Sequence, residues 1–316
     1  MLIFASGRTD IPAFYSEWFM NRIREGFVDV RNPYYGDQVS RYRLVPDLVD
    51  CLVFCTKNPQ PMIRHIPELR ERGFALYFFV SITPYGSDIE PNVPAKQQLI
   101  ESFISLSQAA GVQCVCWRYD PIFIDARYSP AYHERAFTAI ADRLAGHTGR
   151  CIISFIDLYE KTKRNFPGIR AVTAAEQEEL GRAFGTVGAE KGLHIESCAE
   201  KIDLSRFGIL PGACISRGVV ERAGGIKLRQ NPGVQKLRSG CGCLPMHDIG
   251  AYNSCPHLCR YCYANYDAQL VRKNAARHDP NSSFLLGSAS GKDSLHQAQQ
   301  QSFRDRREEM QLELSF

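Results

Sequence analysis

Six apolar, strand-like runs alternate with helical segments over roughly the first 200 residues, and this alternation constrains the fold more than any other feature. The runs cover residues 2–5, 51–55, 75–82, 112–119, 151–156 and 193–197. The segments between them carry helix signals, such as Ser129 before Pro130 and the capping box Thr173-Ala-Ala-Glu176. Strands that alternate with helices form parallel sheets with right-handed crossovers. The pattern therefore predicts an α/β fold, and its length suits a TIM-type βα barrel or a partial barrel.

Polar residues follow these runs, where the active sites of βα barrels lie. The candidate site residues are Ser6, Arg8, Asp10, Lys57, Arg118 and Asp120. Arg118 and Asp120 share one face of their strand because side chains alternate with a period of two. They could hold a ligand or bond each other. Lys57 could bind substrate or donate a proton, or it could be a solvated residue at a strand end.

The rest of the chain departs from the alternation. Residues 27–31 and 39–44 flank a turn and predict a hairpin. Residues 199–247 are rich in glycine and predict an irregular, cysteine-rich insert, so the barrel would comprise 1–198 and 248–278. A helix is expected over 260–277. Residues 279–316 are polar and predict a loosely held, partly helical tail.

Twelve cysteines in a chain that starts without a signal peptide favour metal sites over disulfides. We therefore expect a cytoplasmic protein, and no stretch is apolar enough to predict a membrane span. The formal net charge of +4 is too small to indicate nucleic acid by itself.

Three cysteines form the motif Cys255-Pro-His-Leu-Cys259-Arg-Tyr-Cys262. Three thiolates can hold three irons of a 4Fe–4S cluster and leave the fourth iron open, as catalysis requires. The alternative is a zinc site with His257 or His247 as the fourth ligand.

A second set of cysteines predicts a closed site with four protein ligands. It consists of Cys198, Cys214, Cys241 and Cys243. A second 4Fe–4S cluster is our preferred interpretation, and the alternatives are zinc and a set that binds no metal. The remaining five are expected to be buried apolar thiols: Cys51, Cys55, Cys114, Cys116 and Cys151.

The cysteine motif resembles the cluster loop of radical S-adenosylmethionine (radical SAM) enzymes. Residues 248–277 resemble the first βα unit of the barrel in those enzymes, but in this chain the unit comes last. The whole chain resembles a bacterial family of uncharacterised, circularly permuted radical SAM-like proteins, with a distant similarity to spore photoproduct lyase. The segments that support the family resemblance are Thr56-Lys-Asn-Pro59, Arg118-Tyr-Asp-Pro-Ile122, Cys198-Ala-Glu-Lys201, Cys241-Gly-Cys243 and Asp248-Ile-Gly-Ala-Tyr-Asn253. The similarity to the lyase lies in the first two of them.

The resemblance implies an enzyme in which Cys255, Cys259 and Cys262 ligate iron and Tyr261 packs beside the SAM adenine. The family's glycine-rich segment, which holds the SAM amino group, has no clear match here. Ser6–Asp10 would take its place, with Asp10 or a backbone carbonyl accepting from the ammonium. Arg118 could then bind the SAM carboxylate, and Asp120 the ribose hydroxyls. An electron donor such as flavodoxin or ferredoxin would also be required.

Permutation makes a geometric prediction: residues 255–262 should lie beside Ser6–Asp10, although most of the chain separates them.

The competing hypothesis is a zinc- or cluster-stabilised module that binds nucleic acid through basic residues of the insert. Those residues are Arg217, Arg222, Lys227, Arg229, Lys236 and Arg238. They lack interleaved aromatic side chains, which weakens them as a base-stacking surface.

Overall fold

The computed structural model describes residues 1–229, 233 and 240–305. Its eleven strands are β1 Leu2–Phe4, β2 Phe27–Arg31, β3 Gln38–Arg43, β4 Cys51–Thr56, β5 Leu76–Ser81, β6 Val115–Ile122, β7 Arg150–Phe155, β8 His194–Cys198, β9 Leu210–Gly212, β10 Met246–Asp248 and β11 Ser294–Gln297. Eight of them form a sheet in the order β10-β1-β4-β5-β6-β7-β8-β9, and every neighbouring pair is parallel. The α/β prediction is confirmed. No ladder joins β9 to β10 within the described ranges, so the sheet has two edges.

Ten α-helices occur in the described part of the chain. They are α1 Ile11–Phe14, α2 Ser16–Glu25, α3 Gln60–Ile63, α4 Ile66–Glu71, α5 Lys96–Ala110, α6 Pro130–Leu144, α7 Glu160–Asn165, α8 Ala174–Lys191, α9 Arg217–Gly224 and α10 Ala268–Ala276. The predicted caps are present: Ser129 accepts from the backbone of Tyr132, and Thr173 and Glu176 form the reciprocal box. None of these helices is long and apolar enough to cross a bilayer.

Both faces of the main sheet are buried, as the continuous hydrophobicity of its strands predicts. All six residues of β5 are buried, and they alternate between two cores. Phe78 packs in the larger core and stacks on Phe54, with ring centroids 4.7 Å apart. Tyr77 and Phe79 point to the opposite face, where the second core includes Val220 of α9. The segment after β8 therefore covers one face of the sheet.

That finding changes the picture of residues 199–247, which were predicted to be irregular. The segment supplies β9, the amphipathic helix α9 and the start of β10. Val219 and Val220 are the buried residues of α9. These elements have three to eight residues, too few for a periodic pattern to stand out among glycines.

Two further predictions are corrected near the C-terminus. The helix expected over 260–277 begins only at Ala268, where Asp267 caps it by accepting from the backbone of Leu270 at 2.8 Å. The tail contains no helix among residues 279–305. It instead adds β11 to β3, parallel, beside the β2–β3 hairpin that the sequence predicted. Residues 306–316 lie outside the described residues.

The strand that precedes the cysteine motif lies next to the first strand of the chain. β10 pairs with β1 in the register Leu2–Met246 and Phe4–Asp248. The backbone N–H of Ile249 extends the contact by donating to the carbonyl of Phe4 at 3.1 Å. The two ends of the chain's βα series are thus neighbours, as the permutation hypothesis requires.

Candidate metal centre

The cysteine loop that follows β10 lies at the carboxyl edge of the sheet, beside residues 6–10. His257, inside the loop, lies with Nε2 3.1 Å from Oδ2 of Asp10. The hydroxyl of Tyr263 donates to the carbonyl of Gly7 at 2.6 Å. The predicted proximity of the two segments is confirmed.

The three thiols of the loop lie within electrostatic reach of one another. Burial raises the pKa of Cys255, and the charges of Asp10, Cys262 and Cys259 raise it further. Burial also raises the pKa of Cys259 to about 12, although the Lys57 ammonium opposes the rise. Metals bind thiolates, so occupation of this site would release protons. The positive charge of Lys57 beside Cys259 would stabilise the negative thiolates that a metal cluster requires.

Across the described residues, no three His, Cys, Asp or Glu side chains converge on a point that could hold a metal ion. A 4Fe–4S cluster, however, distributes its cysteines over separate irons. The three thiols therefore need not surround one point. The donor set, three soft thiolates in one loop, fits such a cluster, with one iron left without a protein ligand.

Tyr261, within this loop, is fixed by a buried carboxylate. Its hydroxyl donates to Glu90, which also accepts from Lys57 at 2.7 Å, Lys96 at 2.5 Å and the Thr83 hydroxyl at 2.6 Å. Burial alone would raise the pKa of Glu90, but the two ammonium groups and their hydrogen bonds lower it to about 2. Lys57 thus acts in a network that orients the ring predicted to pack beside adenine.

Sequence reasoning missed Glu90 and Lys96. Glu90 lies between β5 and α5, in a segment without a recognisable motif, and Lys96 is the first residue of α5. The signal that identifies Glu90 is spatial: its side chain is 1% exposed, yet it meets two lysines and a tyrosine. Such a convergence is not visible from residue types alone.

Asp10, predicted to accept from the SAM ammonium, already has three partners. Oδ1 caps α1 by accepting from the backbone of Ala13 at 3.1 Å. Oδ2 accepts from the backbone of Lys57 at 2.8 Å and contacts His257. Asp10 therefore joins β1, β4 and the cysteine loop, and its capacity for a further donor is reduced.

The neighbouring hydroxyls of Ser6 and Thr9 are better placed to receive a ligand. Both are buried, and neither has a hydrogen-bond partner among the described residues. A buried polar group without a partner costs free energy, so such groups often mark a ligand position. Arg8 is already engaged and is not available to bind a ligand in the same way. It donates to the carbonyl of Asp248 at 2.7 Å and lies 3.4 Å from the Asp248 carboxylate.

Arg118 and Asp120 contact each other, the simpler of the two arrangements that the sequence allowed. The guanidinium is paired with Asp120, which also accepts from the Ser154 hydroxyl. A second nitrogen lies 3.5 Å from the sulfur of Cys55. Burial would lower the pKa of Arg118, but Asp120, Cys55, Cys214 and Cys198 raise it well above its ordinary value. Arg118 is therefore close to the second cysteine set.

The second set brings together cysteines from three parts of the chain. The thiol of Cys214 lies 2.9 Å from the sulfur of Cys198, and Cys243 accepts from the backbone of Ile215 at 3.5 Å. The hydrogen bond to Cys198 lowers the pKa of Cys214, but the contact with Cys243 and burial raise it to about 12. Cys241 in turn contacts Cys243. The four thiols thus form a chain of pairwise contacts, although no three of them converge on one point. Four soft thiolates in contact suit a cluster with four protein ligands, whose cysteines bind separate irons.

Arg150 holds the backbone that carries Cys214. It forms a bidentate pair with Glu196, both contacts being 2.7 Å. Its remaining donors reach the carbonyls of Ala213 and Cys214, both at 2.9 Å. This role was not predictable from the sequence, because Arg150 and Glu196 are 46 residues apart.

The two histidines of the zinc alternative are engaged elsewhere. Both ring nitrogens of His257 have contacts, with Asp10 at 3.1 Å and with the carbonyl of Asn92 at 3.2 Å. His247 packs against Tyr42, with ring centroids 5.2 Å apart. Neither ring is directed by these contacts toward the three thiols.

The basic residues of the insert are only partly described. Arg217 pairs with Glu221 at 2.7 Å, and Arg229 donates to the carbonyl of Ser302. Arg222 lies on α9 and Lys227 follows it, whereas Lys236 and Arg238 lie outside the described residues. At least two of these cations are therefore occupied within the chain.

Residues 2–264 match the family described as "Domain of unknown function (DUF1848)". The chain belongs to this family. No curated protein matches it. Among solved structures, the Xanthomonas citri FimX EAL domain in complex with c-diGMP shows 13% identity over 63% of this chain and 89% of that one, with a TM-score of 0.21. A similarity this weak supports no argument about fold or function.

Proposed function

We propose that this DUF1848 protein is a radical SAM enzyme in which Cys255, Cys259 and Cys262 hold a 4Fe–4S cluster. The pairing of β10 with β1 carries the proposal, because it brings a C-terminal cysteine loop to the carboxyl edge of the first strand. Parallel α/β proteins bind their ligands at that edge. We further propose that the main sheet is a partial, circularly permuted barrel. Held by these three cysteines, a reduced cluster would supply the electron for cleavage of SAM to methionine and a 5′-deoxyadenosyl radical, and that radical would abstract hydrogen from the substrate.

The chain's own residues would bind and orient SAM. Ser6 and Thr9 offer unpartnered hydroxyls to its amino group, a role first assigned to Asp10. Tyr261, fixed through Glu90, would pack beside the adenine. Arg118 and Asp120 would exchange part of their mutual contact for the SAM carboxylate and ribose.

The second cysteine set would hold a second, fully ligated 4Fe–4S cluster. The clustering of Cys198, Cys214 and Cys243 supports this, and the nearby Arg118 offsets thiolate charge. A flavodoxin or ferredoxin would supply electrons from outside. Zinc at the second set is the alternative, in which case the site would only stabilise the fold.

Anaerobic reconstitution tests the proposal. We expect SAM and a strong reductant to yield 5′-deoxyadenosine. The Cys259→Ala variant should yield none, whereas Cys51→Ala, which removes a buried thiol of β4, should retain the activity. Failure of the reconstituted wild-type protein to form 5′-deoxyadenosine would contradict the assignment.

Metal analysis of the same samples tests the second site. Two clusters correspond to about eight irons per chain, and the Cys241→Ala/Cys243→Ala variant should lose about half of them. About four irons with one zinc would instead assign zinc to the second set. Zinc without iron would favour the non-enzymatic module.

A further inference from the structure

Four tyrosines expose their rings around the cysteine loop. Tyr34 is 83% exposed, Tyr35 66%, Tyr263 48% and Tyr159 46%. Large aromatic rings are normally buried, so several exposed rings at one place indicate a binding surface. We call these four residues the tyrosine rim.

The rim extends from the cysteine loop to the tip of the β2–β3 hairpin, which carries Tyr34 and Tyr35. The rings of Tyr159 and Tyr263 lie 6.3 Å apart, and Tyr263 is bonded to Gly7 at the carboxyl end of β1. Tyr34, at the tip of the β2–β3 hairpin, lies within electrostatic reach of Tyr252. Tyr252 stacks on Tyr266, with centroids 5.7 Å apart.

Helix α7 adds positive charge to this surface. Lys161 lies 3.8 Å from the ring centroid of Tyr266 and 5.1 Å from that of Tyr252. Lys161, Lys163 and Arg164 are exposed, and Lys163 is paired with Glu160 at 2.9 Å.

The opposite face of the helix is fixed to the cysteine loop. Thr162 is buried and donates to the carbonyl of Tyr261 at 3.5 Å, and Asn165 donates to that of Asn265 at 2.8 Å. The cations are thus held beside the proposed cluster.

We propose that the tyrosine rim and α7 bind single-stranded nucleic acid and present it to the proposed radical site. Exposed aromatic rings stack on unpaired bases, and cations beside them bind the phosphates. This inference deepens the proposed function, on which it rests for the chemistry, by naming a substrate class. It assigns binding to the carboxyl edge of the sheet, where aromatic and basic residues occur together. The basic insert lacks that combination.

Fluorescence anisotropy tests the charges, with the full-length reconstituted protein and a labelled single strand of about 12 nucleotides. We expect saturable binding that weakens with salt. Lys161→Ala/Arg164→Ala should weaken it about tenfold and lower the slope of log affinity against log salt by about 1.4. The matched control is Arg135→Ala/Arg143→Ala on α6, which removes the same charge from another exposed surface. Equal losses in both variants would overturn the proposal.

The rings are tested separately. Tyr34→Ala/Tyr159→Ala should weaken binding about tenfold or more, since a stacked base contributes roughly 1–3 kcal/mol. Tyr34→Phe/Tyr159→Phe keeps both rings and should bind like the wild type. A duplex should bind more weakly than the single strand, because its base faces are already stacked. If the tyrosine-to-alanine variant bound the single strand as tightly as the wild type, the proposal would be overturned. In that case, competition by an acidic ferredoxin that displaced single strand and duplex equally would assign the surface to a protein partner.

Binding is measured without SAM, so the two proposals can fail separately. Formation of 5′-deoxyadenosine without binding of single strands would overturn only the substrate class. Specific binding by a protein that does not cleave SAM would overturn only the radical chemistry.

Discussion

His133 lies in the interior with both ring nitrogens hydrogen-bonded. Nε2 lies 2.9 Å from the carbonyl of Phe123, which can only accept, so Nε2 carries the proton. Nδ1 then accepts from the hydroxyl of Tyr119 at 2.8 Å. Burial lowers the pKa of His133 to about 4, although the Phe123 carbonyl and Asp125 oppose the shift. The neutral ring is the form that this site accommodates.

This pKa predicts a loss of stability in mild acid. Between about pH 6.5 and pH 4 the unfolded chain protonates the histidine while the folded chain does not, so unfolding takes up a proton. The free energy of unfolding should therefore fall as pH decreases through that window, by about 3 kcal/mol from this residue.

Urea denaturation at several pH values measures this effect against His133→Gln, which does not titrate. The variant is expected to be less stable at pH 7 and to show a flatter pH dependence between pH 6.5 and 4. Parallel curves for the two proteins would show that His133 does not contribute.

At the scale of elements, β7, β8 and β9 are joined by side chains as well as by ladders. Arg150 on β7 reaches Glu196 on β8 and the carbonyls that follow β9. Gly212 at the end of β9 leaves the space that Glu196 occupies, since a Cβ there would meet its carboxylate. These contacts place Cys214 beside Cys198.

Replacing Arg150 by methionine should destabilise this edge of the sheet. Removing one partner of a buried ion pair typically costs about 3–5 kcal/mol, because the other charge remains unpaired. We also expect the variant to lose metal from the second cysteine set while retaining the capacity to cleave SAM. The matched control is Arg170→Met, which breaks a similar bidentate pair with Glu176 on the surface. Similar unfolding midpoints for the two variants would contradict the role of Arg150.

Element types were predictable where the hydrophobic pattern was long. The six apolar runs became β1, β4, β5, β6, β7 and β8, and the helices capped by Ser129 and Thr173 begin as expected. The helical segment between β1 and β2 consists of two helices, α1 and α2, with Tyr15 between them. β9 and α9 were missed because short elements gain their stability from tertiary packing rather than from local sequence. The strand implied before the cysteine loop is β10, at Met246–Asp248.

At the scale of the whole molecule, the prediction that succeeded was topological. The late position of Cys255–Cys262 implied a permuted unit, and β10 lies beside β1 as that requires. The network around Glu90 and the tyrosine rim could not be predicted in this way. They join residues from separate loops, and only the folded chain brings them together.

The polar composition of residues 279–316 suggested a loosely held tail, but residues 279–305 pack across the molecule. The carbonyl of Ser282 accepts from the indole of Trp18 at 2.9 Å, and Asp293 pairs with Arg31 at 2.6 Å. Phe284 and Leu285 are buried, and Leu285 belongs to the larger core. A few anchoring residues thus fix a segment whose average composition is polar.

The packing of this segment makes a prediction about stability. Leu285→Ala should lower the free energy of unfolding by about 2–4 kcal/mol, because it opens a cavity in the core. Leu295→Ala is the matched control: the same substitution at a side chain that is 47% exposed should change it by no more than about 0.5 kcal/mol. Urea denaturation measures both. If Leu285→Ala lowered the free energy of unfolding as little as Leu295→Ala, residues 279–305 would be the loosely held tail that their composition suggests. The core would then end with α10.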